Sequence, residues 1–394
     1  MKKLWQNGEN LNNTVESFET KEDLVMDQKL IKYDVLGSIA HAQMLQKIGI
    51  LSGGELSKLK KGLLEILELD KQGKFKLEIG DEDMHTKIEN YLTEKYGVVG
   101  QKIHTGRSRN DQVLTAVRLY SKDKLTSIKY ETKILVKVFK TFSKKYGSIK
   151  MPGYTHMQKA MPSSLGLWTD SFSDSLQDDL VMVEAAFKLI DQSPLGSAAG
   201  YGTPIKLDKE YAAKLLGFSK VQDNSLYCQN SKGKIEAVIL SSLVQILLTI
   251  NKFASDVMLF TTSEFNFFKV GNGITTGSSI MPQKKNLDVA ELLRSKVHII
   301  LGNFTQTVSL SSNLISGYNR DLQEVKKPLI ESFEVTLNSI KVTSILLNNI
   351  IPNKKNLENA LTEEIYAAEK IFDQVKKGVP FRKAYNAVAL TVKK

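Results

Sequence analysis

Cysteine is almost absent from this chain of 394 residues, and proline is scarce. Cys228 is the single cysteine, so an internal disulfide and a metal site built from cysteines are both excluded. We expect its thiol to serve as a small buried apolar group. Only eight prolines interrupt the chain, which leaves long stretches free to form helices.

The chain also lacks a charge-free apolar run long enough to span a bilayer, and residues 1–7 lack the apolar run of a signal peptide. These absences predict a cytoplasmic protein with no membrane partner. The sequence motifs of phosphate loops, dinucleotide folds, zinc proteases and serine hydrolases are missing as well. Functions in those classes therefore have no support in the sequence.

Acidic residues are the minority among the charged ones, and the formal net charge is +11. Such a charge can indicate a nucleic-acid-binding protein. However, the lysines between residues 122 and 145 alternate with apolar positions, which is typical of a solvated helix face. We expect no nucleic-acid partner and a weak attraction for a small polyanionic substrate. Salt-dependent binding to nucleic acid would favour the alternative.

Apolar residues at helical spacing dominate the remaining pattern and predict an all-α fold. Five long helices are expected. The third should end near Val270, the fourth should begin with Asp288 as its N-cap, and Pro328 should kink the fifth. Their apolar surface exceeds what one bundle can bury, so we expect oligomerisation. The five helical segments cover residues 106–147, 163–192, 234–270, 288 onward and 319 onward. The predicted domains are residues 1–106 with short helices, a long-helix bundle at 107–350, and a short C-terminal region at 351–394.

Glycine, hydroxyls and paired lysines crowd residues 277–286, which read GSSIMPQKKN between two helical segments. Such a loop can close over an anion and present backbone N–H groups to it. Composition alone would also fit a basic surface turn. The identity and order of its residues, considered below, favour a catalytic loop.

Two other segments are unusually polar for the ends of long helices. Residues 104–112 read HTGRSRNDQ, in which Arg107 and Arg109 could clamp carboxylates, although a polar helix cap is an alternative. Residues 152–158 read PGYTHMQ and place His156 after a turn, where a structural histidine is the alternative. Glu82, His85 and Glu89 would share one helix face, but further metal ligands are not apparent, so we expect a solvated or substrate-facing helix.

Taken together, the three segments resemble the argininosuccinate lyase family of the fumarase/aspartase superfamily. They also follow one another along the chain in the order that the family has. The shared superfamily core is GSS-x-MP-x-K-x-N, and the QKKN ending resembles this family in particular. Further family-like segments cover nearly the whole chain: DVLGSIAH at 34–41, EDMH at 82–85, PLGSAAG at 194–200, YNRDLQ at 318–323 and GVPFR at 378–382.

The resemblance implies a three-domain fold whose long helices assemble into the helical core of a homotetramer, with active sites shared between chains. It implies β-elimination of argininosuccinate to arginine and fumarate in arginine biosynthesis, without a metal or organic cofactor. The alternatives are another superfamily enzyme similar to adenylosuccinate lyase, which lacks the QKK string and HTGRSRNDQ, or a non-catalytic homologue similar to lens crystallins.

The resemblance also implies roles for individual residues. Ser278 matches the base, Lys284 and Asn286 would stabilise the doubly charged carboxylate that forms, and His156 paired with Glu291 would protonate the leaving nitrogen. The substrate-binding residues would be Ser38, Arg109, Asn110 and Thr155 around the carboxylates, and Tyr318, Gln323 and Lys326 around the arginine portion.

Two departures from the family pattern affect these expectations. Leu287 stands where the family usually has proline, which removes a rigid φ constraint and should loosen the loop. Family members usually continue for several dozen residues after GVPFR, whereas this sequence ends at Lys394. We therefore expect a missing or reduced part of the C-terminal domain, and either change could lower activity.

Overall fold

The computed structural model describes residues 12–392, and most of them are helical. The all-α prediction is confirmed. The α-helices are α1 Asn13–Gln28, α2 Ile31–Lys47, α3 Gly53–Lys71, α4 Met84–Tyr96, α5 Val98–Gln101, α6 Arg109–Tyr146, α7 Leu165–Ile190, α8 Lys209–Leu215, α9 Ser225–Asn230, α10 Lys234–Phe260, α11 Asp288–Leu310, α12 Lys326–Asn348, α13 Lys354–Asn359, α14 Ala367–Lys376 and α15 Phe381–Val392. Short 3₁₀ helices lie at Lys102–His104, Asn272–Ile274, Arg320–Val325 and Glu363–Tyr366.

Strands occur only as short pairs within the described residues. The pairs β1–β2, β5–β8 and β6–β7 are antiparallel, and β3–β4 is parallel. Their bounds are β1 Lys150–Thr155, β2 Gln158–Ser164, β3 Gln192–Ser193, β4 Lys220–Val221, β5 Phe268–Val270, β6 Thr276–Gly277, β7 Lys285–Asn286 and β8 Ile350–Pro352. Two of these pairs, β1–β2 and β6–β7, carry segments that the sequence singled out.

The five predicted long helices are present as α6, α7, α10, α11 and α12, with three differences in detail. Helix α10 ends at Phe260 rather than near residue 270, because residues 268–270 form strand β5 and pair with β8. Asp288 is the first residue of α11 rather than its N-cap. Pro328 lies in the first turn of α12, where a missing N–H costs no helical bond, so the predicted kink is wrong.

Local capping explains where the helices of the N-terminal region begin. Ser52 and Glu55 form a reciprocal capping box at α3, with N–H to oxygen distances of 3.2 Å and 2.8 Å. Asp83 caps α4 by accepting the N–H of Thr86 at 2.7 Å. The second cap has a functional consequence, because it fixes the carboxylate of Asp83 at the start of α4.

The chain forms two compact units. The first comprises residues 12–128 with Met182–Val244 and Ile299–Val335, and the second comprises Lys129–Val181, Gln245–His298 and residues 336–392. These two units do not correspond to the three predicted domains, and the three-domain division stays a prediction. The first unit buries aliphatic side chains together with many charged ones, and these charged groups belong to the candidate site described below.

Aromatic rings dominate the core of the second unit. Trp168 packs on Phe268 with ring centroids 5.3 Å apart and donates its indole N–H to Asp256 at 2.9 Å. Tyr154 of β1 contacts Phe260 and Phe265 at 6.4 Å and 5.9 Å. Such ring contacts are individually worth about 0.5–1.5 kcal/mol beyond burial. They anchor the β1–β2 hairpin to the end of α10.

Within residues 12–392, one helical stretch, Ser225–Phe260, is long and apolar enough by length and composition to cross a membrane. Buried core helices pass the same test, and 61% of its most apolar window is buried inside the structure. Cys228 lies in this stretch and is fully buried, as expected.

Candidate active site

Residues 277–286 form a β-hairpin in the second unit. Strand β6 pairs with β7 so that Thr276 faces Asn286 and Gly277 faces Lys285. The connecting loop places the Ser278 hydroxyl within reach of two main-chain donors, the N–H groups of Ile280 and Met281, at 3.4 Å and 3.2 Å. Backbone N–H groups pointing at an oxygen favour its negatively charged form.

Three of the residues expected to be catalytic line one cavity of 550 Å³ beside this hairpin. They are Lys284, Asn286 and Glu291. Thr261 and Thr262, which directly follow α10, also line this cavity. Ser278 does not line this cavity. Lys284 makes no side-chain hydrogen bond or ion pair with any residue of the described range 12–392, so its ammonium is available to an anion.

Leu287, the departure from the family pattern, is a buried side chain with 7% of its surface exposed. Its carbonyl accepts the N–H groups of Ala290 and Glu291 at 2.9 Å and 3.4 Å, so it serves as the N-terminal cap residue of α11. The leucine therefore anchors the end of the loop by burial where a proline would anchor it by a fixed φ.

His156 lies at the tip of the β1–β2 hairpin. His156 and Met157 both have positive φ, 53° and 62°, as the two central residues of a tight turn between Thr155 and Gln158. Thr155, His156 and Met157 are all exposed. No hydrogen bond or ion pair joins His156 to Glu291 within the described chain. The expected histidine–carboxylate pair is therefore not formed inside one chain.

In the first unit, the residues expected to bind the substrate carboxylates lie beside or include Arg107 and Arg109. The guanidinium of Arg109 contacts Glu82 at 2.8 Å and Asp83 at 2.9 Å through one nitrogen. Arg107 is buried and donates to the hydroxyl of Ser38 at 3.0 Å. Glu82 precedes α4 and has a φ of 64°, so the expected shared helix face of Glu82, His85 and Glu89 is wrong.

Asp111 fixes the loop that carries these arginines. Its carboxylate is fully buried and accepts the N–H groups of Ser108, Gly196 and Ala198, each at 2.9 Å. Burial raises the pKa of Asp111 to about 6 although the three N–H donors and Arg107 oppose that shift. The residue ties the segment at 104–112 to the turn at 194–200. Asn110 lies between the fixed residues and is half-buried.

Two buried histidines near this loop have pKa values that are shifted in opposite directions. Burial, together with the charge of Arg107, lowers the pKa of His41 to about 3, so its ring is neutral and Nε2 donates to the Thr105 carbonyl at 2.8 Å. Burial also disfavours a charged His85, but Asp34 at 2.9 Å outweighs it and raises the pKa of His85. No group of three or more histidine, cysteine or carboxylate side chains in residues 12–392 could hold a metal ion.

The residues expected around the arginine portion of the substrate lie at the start of α12. Lys326 is 4% exposed and contacts two carboxylates, Asp23 at 2.6 Å and Asp27 at 2.7 Å. Burial opposes its charge, but the two carboxylates outweigh burial and raise the pKa of Lys326. Gln323 donates to the Glu19 carbonyl at 2.9 Å, and Tyr318 is 37% exposed.

Comparison with known proteins decides which family these features belong to. The model of a lyase family matches residues 14–302. The argininosuccinate lyase of Thermotoga neapolitana is 47% identical, with 98% of this chain and 97% of that protein covered, and the argininosuccinate lyase of Phocaeicola vulgatus is 40% identical over 99% and 87%. The chain belongs to the argininosuccinate lyase family.

Solved structures agree on the fold. The structure of EDDS lyase in complex with formate superposes with a TM-score of 0.83, at 22% identity, and covers 97% of this chain and 76% of that chain. The fumarate lyase/delta crystallin structure from Brucella melitensis, bound to cobalt, gives 0.79 at 16% identity, with 98% and 94% covered. Such low identities establish the architecture shared by this argininosuccinate lyase family member and no more.

Several buried residues of this argininosuccinate lyase family member were missed by reasoning from the sequence. Asp23, Asp27 and Lys232 carried no motif signal, and Lys326, the partner of both carboxylates, lies about 300 positions away along the chain. Arg107 and Asp111 were inside a recognised motif, and a test for which of its residues would be buried could have separated them from Arg109. The buried Asp81 similarly pairs with the half-buried Lys87 at 2.8 Å, which no local pattern indicated.

Proposed function

We propose that this protein cleaves argininosuccinate into arginine and fumarate by β-elimination. The observation that carries the proposal is the hairpin at 277–286, which places Lys284 and Asn286 in one cavity and points two main-chain N–H groups at the Ser278 hydroxyl. This set of groups suits removal of a weakly acidic proton next to a carboxylate.

In the proposed reaction Ser278 removes the proton, and the adjacent N–H donors favour its deprotonated state. The carbanion that forms places a second negative charge on its neighbouring carboxylate. Lys284 and Asn286 stabilise that charge, and losing one such donor typically costs about 3–4 kcal/mol. His156, oriented by Glu291, returns a proton to the departing guanidinium nitrogen. The carbon–nitrogen bond breaks, and its electron pair leaves with that nitrogen.

Substrate binding is assigned to residues of both units. Ser38, Arg109, Asn110 and Thr155 would hold the carboxylates of the succinate portion, and Tyr318, Gln323 and Lys326 would surround the arginine portion. Because Arg109 already touches two carboxylates, a substrate carboxylate has to compete with Glu82 and Asp83 for it. The proposed chemistry needs no metal or organic cofactor.

The direct test is to incubate the purified protein with argininosuccinate in the presence of a chelator and to follow fumarate by its ultraviolet absorbance. Formation of fumarate and arginine in equal amounts is expected. Consumption of adenylosuccinate or malate instead, or no turnover of any of them, would contradict the assignment.

We further propose that the protein acts as a cytoplasmic homotetramer. Large apolar side chains remain exposed on long helices of the second unit, which supports burial between chains. They are Leu167 at 68%, Val181 at 64%, Leu248 at 43%, Leu292 at 58% and Ile345 at 52% exposed. In such a tetramer the segments at 104–112, 152–158 and 277–286 would come from three chains, and Glu291 would reach His156 of another chain.

Mixing two inactive variants tests the shared site. Ser278→Ala and His156→Ala proteins are unfolded together, mixed and refolded. If each site takes Ser278 and His156 from different chains, some mixed tetramers gather both defects into one site and leave another site intact, so partial activity returns. A mixture that is demonstrably hetero-oligomeric but as inactive as its parents would place both residues in the same chain.

A further inference from the structure

The second unit holds a further cavity beside the β1–β2 hairpin, here called the aromatic cavity. Its volume is 670 Å³, against 550 Å³ for the cavity lined by Lys284 and Asn286, here called the catalytic cavity. The residues proposed above to bind the substrate or to react with it do not line the aromatic cavity. The proposed reaction therefore leaves this cavity without a role.

Three aromatic side chains, Tyr154, Phe265 and Phe267, line the aromatic cavity. The ring centroid of Phe265 lies 5.3 Å from that of Phe267, with the two planes at 90°, and 5.9 Å from that of Tyr154. Tyr154 and Phe265 are half-buried, so part of each ring remains accessible to a ligand. A planar cation such as guanidinium stacks on aromatic faces. The rings therefore suit a ligand that carries a planar cationic group.

Two carboxylates and one ammonium line the same cavity, from Glu264, Glu364 and Lys159, and all three side chains are exposed. No hydrogen bond or ion pair joins Glu264 or Lys159 to another side chain of the described range 12–392. Glu364 is ionised, because hydrogen bonding by Thr362, reinforced by the charge of Lys159, lowers the pKa of its carboxyl. The cavity thus offers two negative charges and one positive charge. A basic amino acid carries the complementary set, which is a side-chain cation, an α-ammonium and an α-carboxylate.

A shared wall separates the aromatic cavity from the catalytic cavity. Phe265 and Phe267 line the aromatic cavity, whereas Asn266 and Phe268 line the catalytic cavity. The main chain at Asn266 has a φ of 44°, a left-handed conformation that is uncommon outside glycine. Because the two cavities share this segment, a ligand packed against one side of it acts on the other side as well.

The aromatic cavity also reaches the hairpin tip that carries His156. Met157 and Gln158, which directly follow His156, line the cavity. All three residues are exposed, so few contacts restrict the tip in the protein without ligand. A ligand in the cavity adds contacts to this tip and restricts its movement.

We propose that the aromatic cavity is a second binding site, for a basic amino acid with a planar cationic group, and that its occupation lowers kcat by restricting the tip that carries His156. The planar cation stacks on the aromatic rings, Glu264 and Glu364 receive the two positive charges, and Lys159 receives the α-carboxylate. Arginine, which the proposed reaction releases, has this set of groups. The identity of the ligand and the effect on kcat therefore rest on the proposed function.

Binding is tested without turnover, by equilibrium dialysis of radiolabelled arginine against the full-length protein. The double variant Glu264→Gln/Glu364→Gln should weaken one class of arginine sites about tenfold, since each exposed ion pair contributes about threefold. Neither side chain is buried, so the melting temperature should not change. Glu363 provides a matched control, because it lies in the same 3₁₀ helix as Glu364, pairs with Lys370 at 2.8 Å and does not line the cavity. Glu363→Gln should bind arginine as the wild type does.

The effect on turnover is measured at saturating argininosuccinate, which displaces arginine from the catalytic cavity. Arginine should lower the kcat of the wild type severalfold, and the double variant should need about tenfold more arginine for the same fall. Agmatine, which lacks the α-carboxylate, should be about threefold less effective than arginine. Lys159→Gln should respond equally to arginine and agmatine, because it has lost the group that receives the carboxylate.

The inference would be overturned by a double variant that is folded and still matches Glu363→Gln in arginine binding and in the response of kcat. It would also be overturned by a wild-type protein in which saturating argininosuccinate abolishes all inhibition by arginine. A wild-type protein that does not cleave argininosuccinate, but loses one class of arginine sites in the double variant, would instead overturn the proposed function and leave the aromatic cavity as an arginine site.

Discussion

The residues proposed to hold the substrate and those proposed to react with it are embedded in opposite ways. In the first unit Ser38 is fully buried, Lys326 is 4% exposed and Arg109 is held by two carboxylates. In the second unit Ser278 and His156 lie at hairpin tips beside Ile280 and Met157, which are 83% and 70% exposed. Buried ion pairs fix the shape of a binding surface before the ligand arrives, whereas exposed hairpin tips are free to move.

The difference suggests that substitutions in the two regions should fail in different ways. A change at a reacting residue should remove turnover and leave stability intact, because few contacts depend on an exposed tip. A change at a buried charged residue should remove stability as well, because it leaves another charge without a partner. The predictions below test this division.

The largest effect is expected from Ser278→Ala. Removing the proposed base should lower kcat by about two to four orders of magnitude, while the melting temperature and the affinity for arginine stay close to those of the wild type. Ser279→Ala, one residue away, is the matched control and should retain most activity. A folded Ser278→Ala protein with near-normal turnover would show that another residue is the base.

Lys326→Met should instead unfold the protein more easily. The substitution leaves Asp23 and Asp27 buried without their cation, which typically costs about 3–5 kcal/mol in the free energy of unfolding. Lys327 is the matched control, since it follows in the same helix and pairs with Glu22 at 3.0 Å on the surface. Lys327→Met should cause no measurable change. Urea unfolding measures the free energy of unfolding of each variant. If Lys326→Met lowered it no more than Lys327→Met does, the buried ion pairs would not stabilise this region.

Buried histidines of the first unit make its stability depend on pH. The folded-state pKa of His41 is depressed to about 3, so below pH 6.5 the unfolded chain binds a proton that the folded chain does not. Stability should therefore fall as pH drops from about 6.5 towards 3, by about 1.4 kcal/mol per pH unit from this residue. His41→Gln, which can still donate to the Thr105 carbonyl, should flatten that part of the curve of melting temperature against pH.

His85 provides the opposite case in the same unit. Its folded-state pKa is raised, so it contributes stability that is fully present below the unfolded pKa and is lost as pH rises through the folded pKa. His85→Asn should therefore reduce stability most at low pH. If both substitutions changed the curve in the same direction, the opposite pKa shifts of the two rings would be wrong.

Sequence patterns predicted the long helices because apolar spacing over 23 to 38 residues is a strong local signal. They also located the loop at 277–286 and the turn at 152–158, where glycine, proline and hydroxyls cluster. They did not indicate the partners of Lys326, since Asp23 and Asp27 lie about 300 positions away in the chain and carry no pattern of their own. Burial of Arg107 but not Arg109 likewise depends on packing between distant segments, which spacing within one motif does not encode.

The smallest effect is expected at the tip of the β1–β2 hairpin. Met157 has a φ of 62°, a left-handed conformation that costs a non-glycine residue roughly 1–2 kcal/mol, and glycine at this turn position relieves that cost. Because glycine also loses more conformational entropy on folding, the net gain for Met157→Gly should be at most about 1 kcal/mol.

Met161 lies in strand β2 of the same hairpin with ordinary backbone geometry, so Met161→Gly should destabilise. The two methionine-to-glycine changes, four residues apart, are therefore expected to shift the melting temperature in opposite directions. If Met157→Gly also destabilised the protein, the side chain of Met157 would have to make contacts that outweigh the strain of its backbone, and the tip would be less free to move than its exposure indicates.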